Sequence, residues 1–258
     1  MLCHPRPLTP APSCCFTESQ PPAGGPTRPQ VVFLHGLARR AGSMKGLSRH
    51  VKACTGLECH VIGYPSKRHG LAELAEITAQ SIREAVGEGA EVVAVAHSMG
   101  GVVVRHIQDL PDAGGIRWQG ICMIAPPNRG SRVARFFSQS WLLAPLFKAI
   151  FGPAAMQLGQ LELTHKWPLP PLPCSIIAGT AWLSLLNPTS WLTWVLRLLP
   201  GPSDGTLSVE ETKLPDTASV EFATVPAAHT FIMNDRAVKR LVVRFIEHAA
   251  SLGGSTAE

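Results

Sequence analysis

The segment VVAVAHSMGG, Val92 to Gly101, sets a serine between a run of small and β-branched residues and a pair of glycines. The first half reads as a buried strand. A sharp turn from such a strand into a helix lifts one side chain above a sheet, and the residues two before and two after it must be small to pass each other. Here they are Ala96 and Gly100. Ser98 is therefore the candidate nucleophile, in the pattern G-x-S-x-G with alanine at the first glycine. The competing reading is a plain serine N-cap; the apolar strand before it and the small residues on both sides weigh against that.

A serine hydroxyl is a weak nucleophile and needs a base. The chain has ten histidines. His97 is expected to point away across the turn, His106 to pack on the following helix and His35 to fix a loop; His4 and His60 have no informative context. His229, in TVPAAHTFIMND (224–235), follows the last apolar run and precedes the last helical pattern. In an open α/β sheet, groups at the carboxyl ends of strands meet along one edge, which makes His229 the candidate base. An orienting acid should fall between the two in sequence. Asp204, in GPSDGTLSVEET (201–212), follows a late strand, and Gly205 allows a tight turn. Asp216 is the alternative, but it precedes a strand and so falls at the wrong edge. Glu210 and Glu211 are expected to begin or face a helix. An oxyanion needs two N–H donors aimed at one point. Met99, after the nucleophile, supplies one. Leu37, after His35-Gly36 in FLHGLA (33–38), is the natural second.

The elements that must hold these residues are also visible. QVVFLHG (30–36), ECHVIGYP (58–65), EVVAVAHS (91–98), WQGICMIAP (118–126), PCSIIAGT (173–180) and SVEFATVP (219–226) are short apolar runs. Near-continuous apolar strands suit a parallel sheet covered on both faces. Helical patterns alternate with them at 43–55, 71–86, 100–110 and 231–250. The fold class is α/β: a mostly parallel, six-stranded, doubly wound sheet.

Two segments, 131–166 and 181–203, are too long and apolar to be simple crossovers. Four tryptophans, Trp141, Trp182, Trp191 and Trp194, fall in them, and no charged residue occurs between Lys166 and Arg197. Such a length could suggest a membrane span, but Pro168, Pro170, Pro171, Pro173 and Pro188 interrupt it. Two apolar cap insertions fit better, with Trp191 and Trp194 expected to bind an acyl chain. A fixed cap that merely completes the core is the alternative.

Composition bounds the rest. The 258 residues suffice for one large α/β domain, here 30–250. Charged residues are only 16% of the chain and the net charge is +5, with no basic block longer than two. Nucleic-acid binding is not expected, whereas peripheral contact with a membrane surface is compatible. Seven cysteines occur without a CxxC pair, so no metal site is expected. Cys122 and Cys174 read as core thiols; Cys54 and Cys59 are close enough in sequence to pair. Residues 1–29 are proline-rich and expected to be a loosely ordered tail, and 251–258 a flexible end. The N-terminal stretch has no signal-peptide apolar region, so the expected location is cytoplasmic with possible membrane association.

The ordered set FLHG, YPS, AHSMGG, APPNRGS, IAGT, SDGTLSVEE and AHTFIM resembles the α/β-hydrolase superfamily, within it the small lipases and lipase-like esterases. AHSMGG is similar to small bacterial triacylglycerol lipases; YPS and PNRGS look like the GPI inositol deacylase-type group. The resemblance covers about 30–250 and implies an α/β-hydrolase fold, with Ser98 as nucleophile, Asp204 as acid, His229 as base, and Leu37 and Met99 as oxyanion donors. It implies a small-molecule or lipid ester substrate and no metal or organic cofactor. Departures are the absence of early strands before residue 30, the positive pair Arg39-Arg40 in the oxyanion loop, and the long apolar insertions. An acyltransferase using the same triad and an inactive lipid-binding protein of the same fold are the rival expectations. A peptidase is disfavoured, because the chain has no room for the large propeller such enzymes commonly carry.

Overall fold

Six of the apolar runs become strands in the computed structural model, which describes residues 28–183, 188–214 and 220–253. They are β1 (Gln30–Leu34), β2 (Cys59–Ile62), β3 (Glu91–His97), β4 (Arg117–Ile124), β5 (Cys174–Gly179) and β6 (Val220–Val225). They form one sheet in the order β2-β1-β3-β4-β5-β6, and every neighbouring pair is parallel. The helices are α1 (Lys45–Thr55), α2 (Leu71–Val86), α3 (Met99–Ile107), the short α4 (Asp112–Gly115), α5 (Arg132–Gln139), α6 (Ala144–Phe151), α7 (Pro153–Leu158), α8 (Pro188–Val195), the one-turn α9 (Val209–Thr212) and α10 (Arg236–Gly253).

Alternation along the central strands explains why both sheet faces are covered. In β1, Val32 and Leu34 join a core with Leu71, Leu74 and Val103 from α2 and α3. Val31 and Phe33 face the other way, against Leu47 and Val51 of α1 and Val242 and Phe245 of α10. Side chains on successive strand residues point to opposite faces, so a strand sandwiched between helix layers must be apolar at every position. That is the pattern of continuous apolar runs. Cys122 and Cys174 are buried in these cores, as expected. Cys54 and Cys59 are both free thiols, so the pairing considered from their spacing is not formed.

The segment 131–166 folds as α5, α6, α7 and a 3-10 turn over Leu161–Lys166. The described part of 181–203 contains α8. Among the described residues, no helix is long and apolar enough to cross a membrane. Of the expected N-terminal tail, residues 1–27 lie outside the described residues, as do 254–258 of the expected C-terminal one and the alternative acid Asp216.

Candidate active site

Ser98 sits on a strained corner between β3 and α3. Its backbone lies at φ 53, ψ −127, in a region that L-residues rarely adopt. The corner is held by main-chain and steric contacts. The Ser98 N–H donates to the Ile124 carbonyl at 2.8 Å. A Cβ on Gly100 would lie 2.8 Å from the His35 carbonyl oxygen and 3.2 Å from Leu34 Cβ, so only glycine lets α3 pass the end of β1. Ser98 occupies the N-cap position, yet its side chain makes no capping hydrogen bond. The plain N-cap reading is thereby set aside.

The hydroxyl is engaged elsewhere. Ser98 Oγ lies 3.1 Å from His229 Nε2, and His229 Nδ1 lies 2.6 Å from Asp204 Oδ2. An ionised carboxylate can only accept, so the proton is on Nδ1 and Nε2 is free to accept from the serine. The other carboxylate oxygen of Asp204 accepts from the N–H groups of Thr206 at 2.9 Å and Leu207 at 2.7 Å. Gly205, at φ 84, makes that tight turn possible. Asp204 and His229 are both buried. Their main chains are also joined, the His229 N–H donating to the Asp204 carbonyl at 3.0 Å.

His97 does not simply point away. It is buried, its ring packs against that of His229 at 5.0 Å between centroids, and its Nε2 donates to the His229 carbonyl at 3.2 Å. Burial, reinforced by the nearby Arg39 guanidinium, holds its pKa well below the ordinary histidine value, so the ring is neutral. His97 thus holds both the ring and the main chain of His229. No local pattern marked it, because its partner is 132 residues away in sequence. His35 does fix its loop, as expected. Its ring stacks on Tyr64 at 4.4 Å, Nδ1 donates to the Gly36 carbonyl at 2.8 Å, and the Tyr64 hydroxyl donates to the His35 carbonyl.

The motifs PNRGS and SDGTLSVEE meet in space and brace the loop of Asp204. Ser208 and Glu211 form a capping box at α9. The Glu211 carboxylate also accepts from the Arg132 N–H at 2.6 Å, and its carbonyl from the Arg129 N–H at 2.9 Å. Asn128 Nδ2 donates to the Thr212 carbonyl at 2.8 Å, and Arg129 pairs with Glu210. Sequence reasoning gave Glu210 and Glu211 their helix but missed this bracing, which depends on a contact between distant loops.

A cavity of about 520 Å³ opens beside Ser98. Phe137, Phe147, Phe151, Leu158 and Leu192 give it an apolar wall. Leu37 lines it too, and Met99 is the first residue of α3, where the N–H has no partner within the helix. The two tryptophans expected in an acyl site lie elsewhere. From α8 the cavity takes Leu192, whereas Trp191 and Trp194 are 41% and 53% exposed. The reason is the unusual orientation of α8. Its polar Ser190 and Thr193 are buried, and Thr193 donates to the Gly205 carbonyl at 3.0 Å, which turns the indoles outward. Among the described residues, no group of three or more His, Cys, Asp or Glu is arranged to hold a metal ion.

A family model for the alpha/beta hydrolase family matches residues 31–255. The chain belongs to that family. Among solved structures it is similar to the mature form of the lipase BlEst2 from Bacillus licheniformis, with 16% identity and a TM-score of 0.65 over 88% of this chain and 96% of that one. It is also similar to the metagenomic carboxyl esterase MGS0156, at 18% identity and a TM-score of 0.58 over 90% of this chain and 78% of that one. A third likeness is to the phospholipase PlaB from Legionella pneumophila, at 14% identity and a TM-score of 0.58 over 88% of this chain and 62% of that one. At these identities the likeness is one of fold. No curated protein matches the chain.

Proposed function

We propose that this protein is a serine esterase that cleaves acyl esters through Ser98, His229 and Asp204. The observation that carries the reading is the unbroken chain of contacts from Ser98 Oγ through the His229 ring to the buried Asp204 carboxylate. His229 Nε2 takes the serine proton as Oγ adds to the ester carbonyl. Asp204 keeps the imidazole in the Nδ1–H tautomer and stabilises the imidazolium that forms. The Leu37 and Met99 N–H groups hold the oxyanion, a term commonly worth about 10²–10³ in rate per donor. Collapse of the tetrahedral adduct returns the proton from His229 to the leaving alcohol and leaves an acyl-serine. Water, deprotonated by the same histidine, then releases the acid.

The substrate we infer is a lipid or long-chain acyl ester. What supports this is the apolar cavity wall together with the outer surface of the same helices. Phe147 and Phe151 of α6 and Leu192 of α8 line the cavity, while Leu146 and Ile150 of α6 and Trp191 and Trp194 of α8 are exposed. Just before α6, Trp141 is 87% exposed. A surface of this kind suits contact with lipid. The test is hydrolysis of p-nitrophenyl esters of increasing chain length, with fluorophosphonate labelling of the wild type and Ser98→Ala. Absence of both turnover and labelling in the wild type would overturn the reading; full labelling of the variant would move the nucleophile.

A further inference from the structure

Among the described residues that line the Ser98 cavity, none is a carboxylate, and the one lysine or arginine is Arg39. It lies two residues beyond Leu37, in a turn where Ala38 adopts φ 54 and the Arg39 N–H reaches back to the Gly36 carbonyl at 3.3 Å. The guanidinium rests over the Phe231 ring, 5.8 Å from its centroid. Its Nε is buried and has no hydrogen-bond partner. Burial pulls its pKa down, with no acidic neighbour opposing the shift. The charge is felt at the centre of the site, where it lowers the pKa values of His35 and His97, after the larger effect of burial.

Arg105 shows what a structural arginine in this fold looks like. Its Nε donates to the Pro168 carbonyl at 2.7 Å, one terminal nitrogen to Asn128 at 3.0 Å, and the other to the Trp167 carbonyl at 3.1 Å. Arg39 has no such set. A buried donor left without a partner costs stability, and a guanidinium presents N–H groups in a fork that matches carboxylate or phosphate oxygens. Arg39 lines the same cavity as Ser98 and Leu37, so that fork faces the space an ester would occupy.

We propose that Arg39 makes this cavity selective for esters bearing an anionic oxygen group, carboxylate or phosphate, near the scissile bond. The proposal rests on the reading of Ser98 as an esterolytic nucleophile. The anion can belong to the acyl part or to the alcohol part of the ester, and two matched substrate pairs separate these sources. One is p-nitrophenyl butyrate against the p-nitrophenyl monoester of succinate. The other is monodecanoylglycerol against the corresponding lysophosphatidic acid.

In at least one pair, the wild type is expected to favour the anionic member in kcat/KM by about tenfold or more, as a charge-assisted hydrogen bond allows. Arg39→Gln should lower that ratio by about ten- to a hundredfold, mainly through KM, and Arg39→Lys should restore part of it. The pair that responds identifies where the anion lies. A wild-type preference for the neutral member of both pairs overturns the proposal. So does an equal loss on both members in Arg39→Gln, which would assign Arg39 to the oxyanion or to the loop. A second measurement does not depend on turnover. Ser98→Ala should bind dodecanoate or dodecyl phosphate more tightly than dodecanol by calorimetry, and the added Arg39→Gln change should remove the difference. Equal binding of all three by Ser98→Ala overturns the proposal. Absence of any ester hydrolysis with the anion preference intact would instead remove the esterase reading and leave the anion site standing.

Discussion

His97, the residue before the nucleophile, donates from Nε2 to the main-chain oxygen of His229 at 3.2 Å. The strand that carries Ser98 thus also holds the backbone of His229. Replacement of His97 by Phe keeps a ring but removes the donor. The expected result is a fall in kcat of about ten- to a hundredfold with KM little changed, since small misplacements of a reacting group carry such costs. His97→Gln, which keeps an N–H in reach, should recover much of the loss. Steady-state kinetics on a short soluble ester would read both.

The same ring makes stability depend on pH. Burial holds His97 neutral in the folded state, while the unfolded chain titrates near its ordinary value of about 6.5. Below that value the unfolded state binds a proton that the folded state does not, so stability is lost as pH falls, by about 1.4 kcal/mol per pH unit for one such group. His35 and His106 are shifted in the same direction, also chiefly by burial. Urea unfolding between about pH 6 and pH 5 should therefore show a steep slope, shallower by about one proton in His97→Gln. Identical slopes would mean that His97 titrates within the folded protein.

Ser98 stores backbone strain at φ 53. Glycine at this position should abolish ester cleavage yet raise stability by about 1 kcal/mol, because the cost of a positive φ is of order 1–3 kcal/mol and the extra freedom of unfolded glycine offsets part of the gain. A Ser98→Gly protein less stable than Ser98→Ala in chemical denaturation would show that the corner is not strained.

Asp204→Asn keeps the shape of a side chain that accepts from Thr206 and Leu207. It removes the charge that fixes the His229 tautomer. A drop in kcat of roughly 10³–10⁴ is expected, with the fold retained by circular dichroism. Asp216→Asn should change little, and the reverse ranking would reassign the acid.

Chain-length preference should follow the cavity wall and not the indoles. Leu192→Ala or Phe147→Ala should weaken long-chain esters more than acetate esters, by up to about 0.8 kcal/mol for each methylene that loses its contact. Trp191→Ala and Trp194→Ala should instead reduce binding to phospholipid vesicles while sparing soluble short esters. Equal losses on all chain lengths in Leu192→Ala would mean that the wall serves only packing.

What the sequence made readable is what local rules govern. A central strand buried on both faces has to be apolar throughout, and the edge strands β2 and β6, though partly exposed, keep enough apolar residues between turns to be located as well. Ala96 and Gly100 mark the elbow because nothing larger passes there. Asp204 and His229 followed from chain order and their neighbouring turns. Features fixed by distant partners stayed hidden. Trp191 and Trp194 read as pocket residues because apolar composition does not tell which side of a helix faces inward; Thr193 bonding to Gly205 decides that. His97 read as bystander because its acceptor comes from the far end of the chain. The brace through Glu211 and Arg132 needs two loops to be brought together before it can be seen.

The main-chain bond from His229 to Asp204 joins the loop after β6 to the loop after β5. Within residues 188–203, Leu192 of α8 lines the cavity and Thr193 donates to the Gly205 carbonyl, next to Asp204. The Asp204 carboxylate itself is held by His229, Thr206 and Leu207. Changes on the cavity side of α8 should therefore alter which esters fit while leaving the contacts among Ser98, His229 and Asp204 in place.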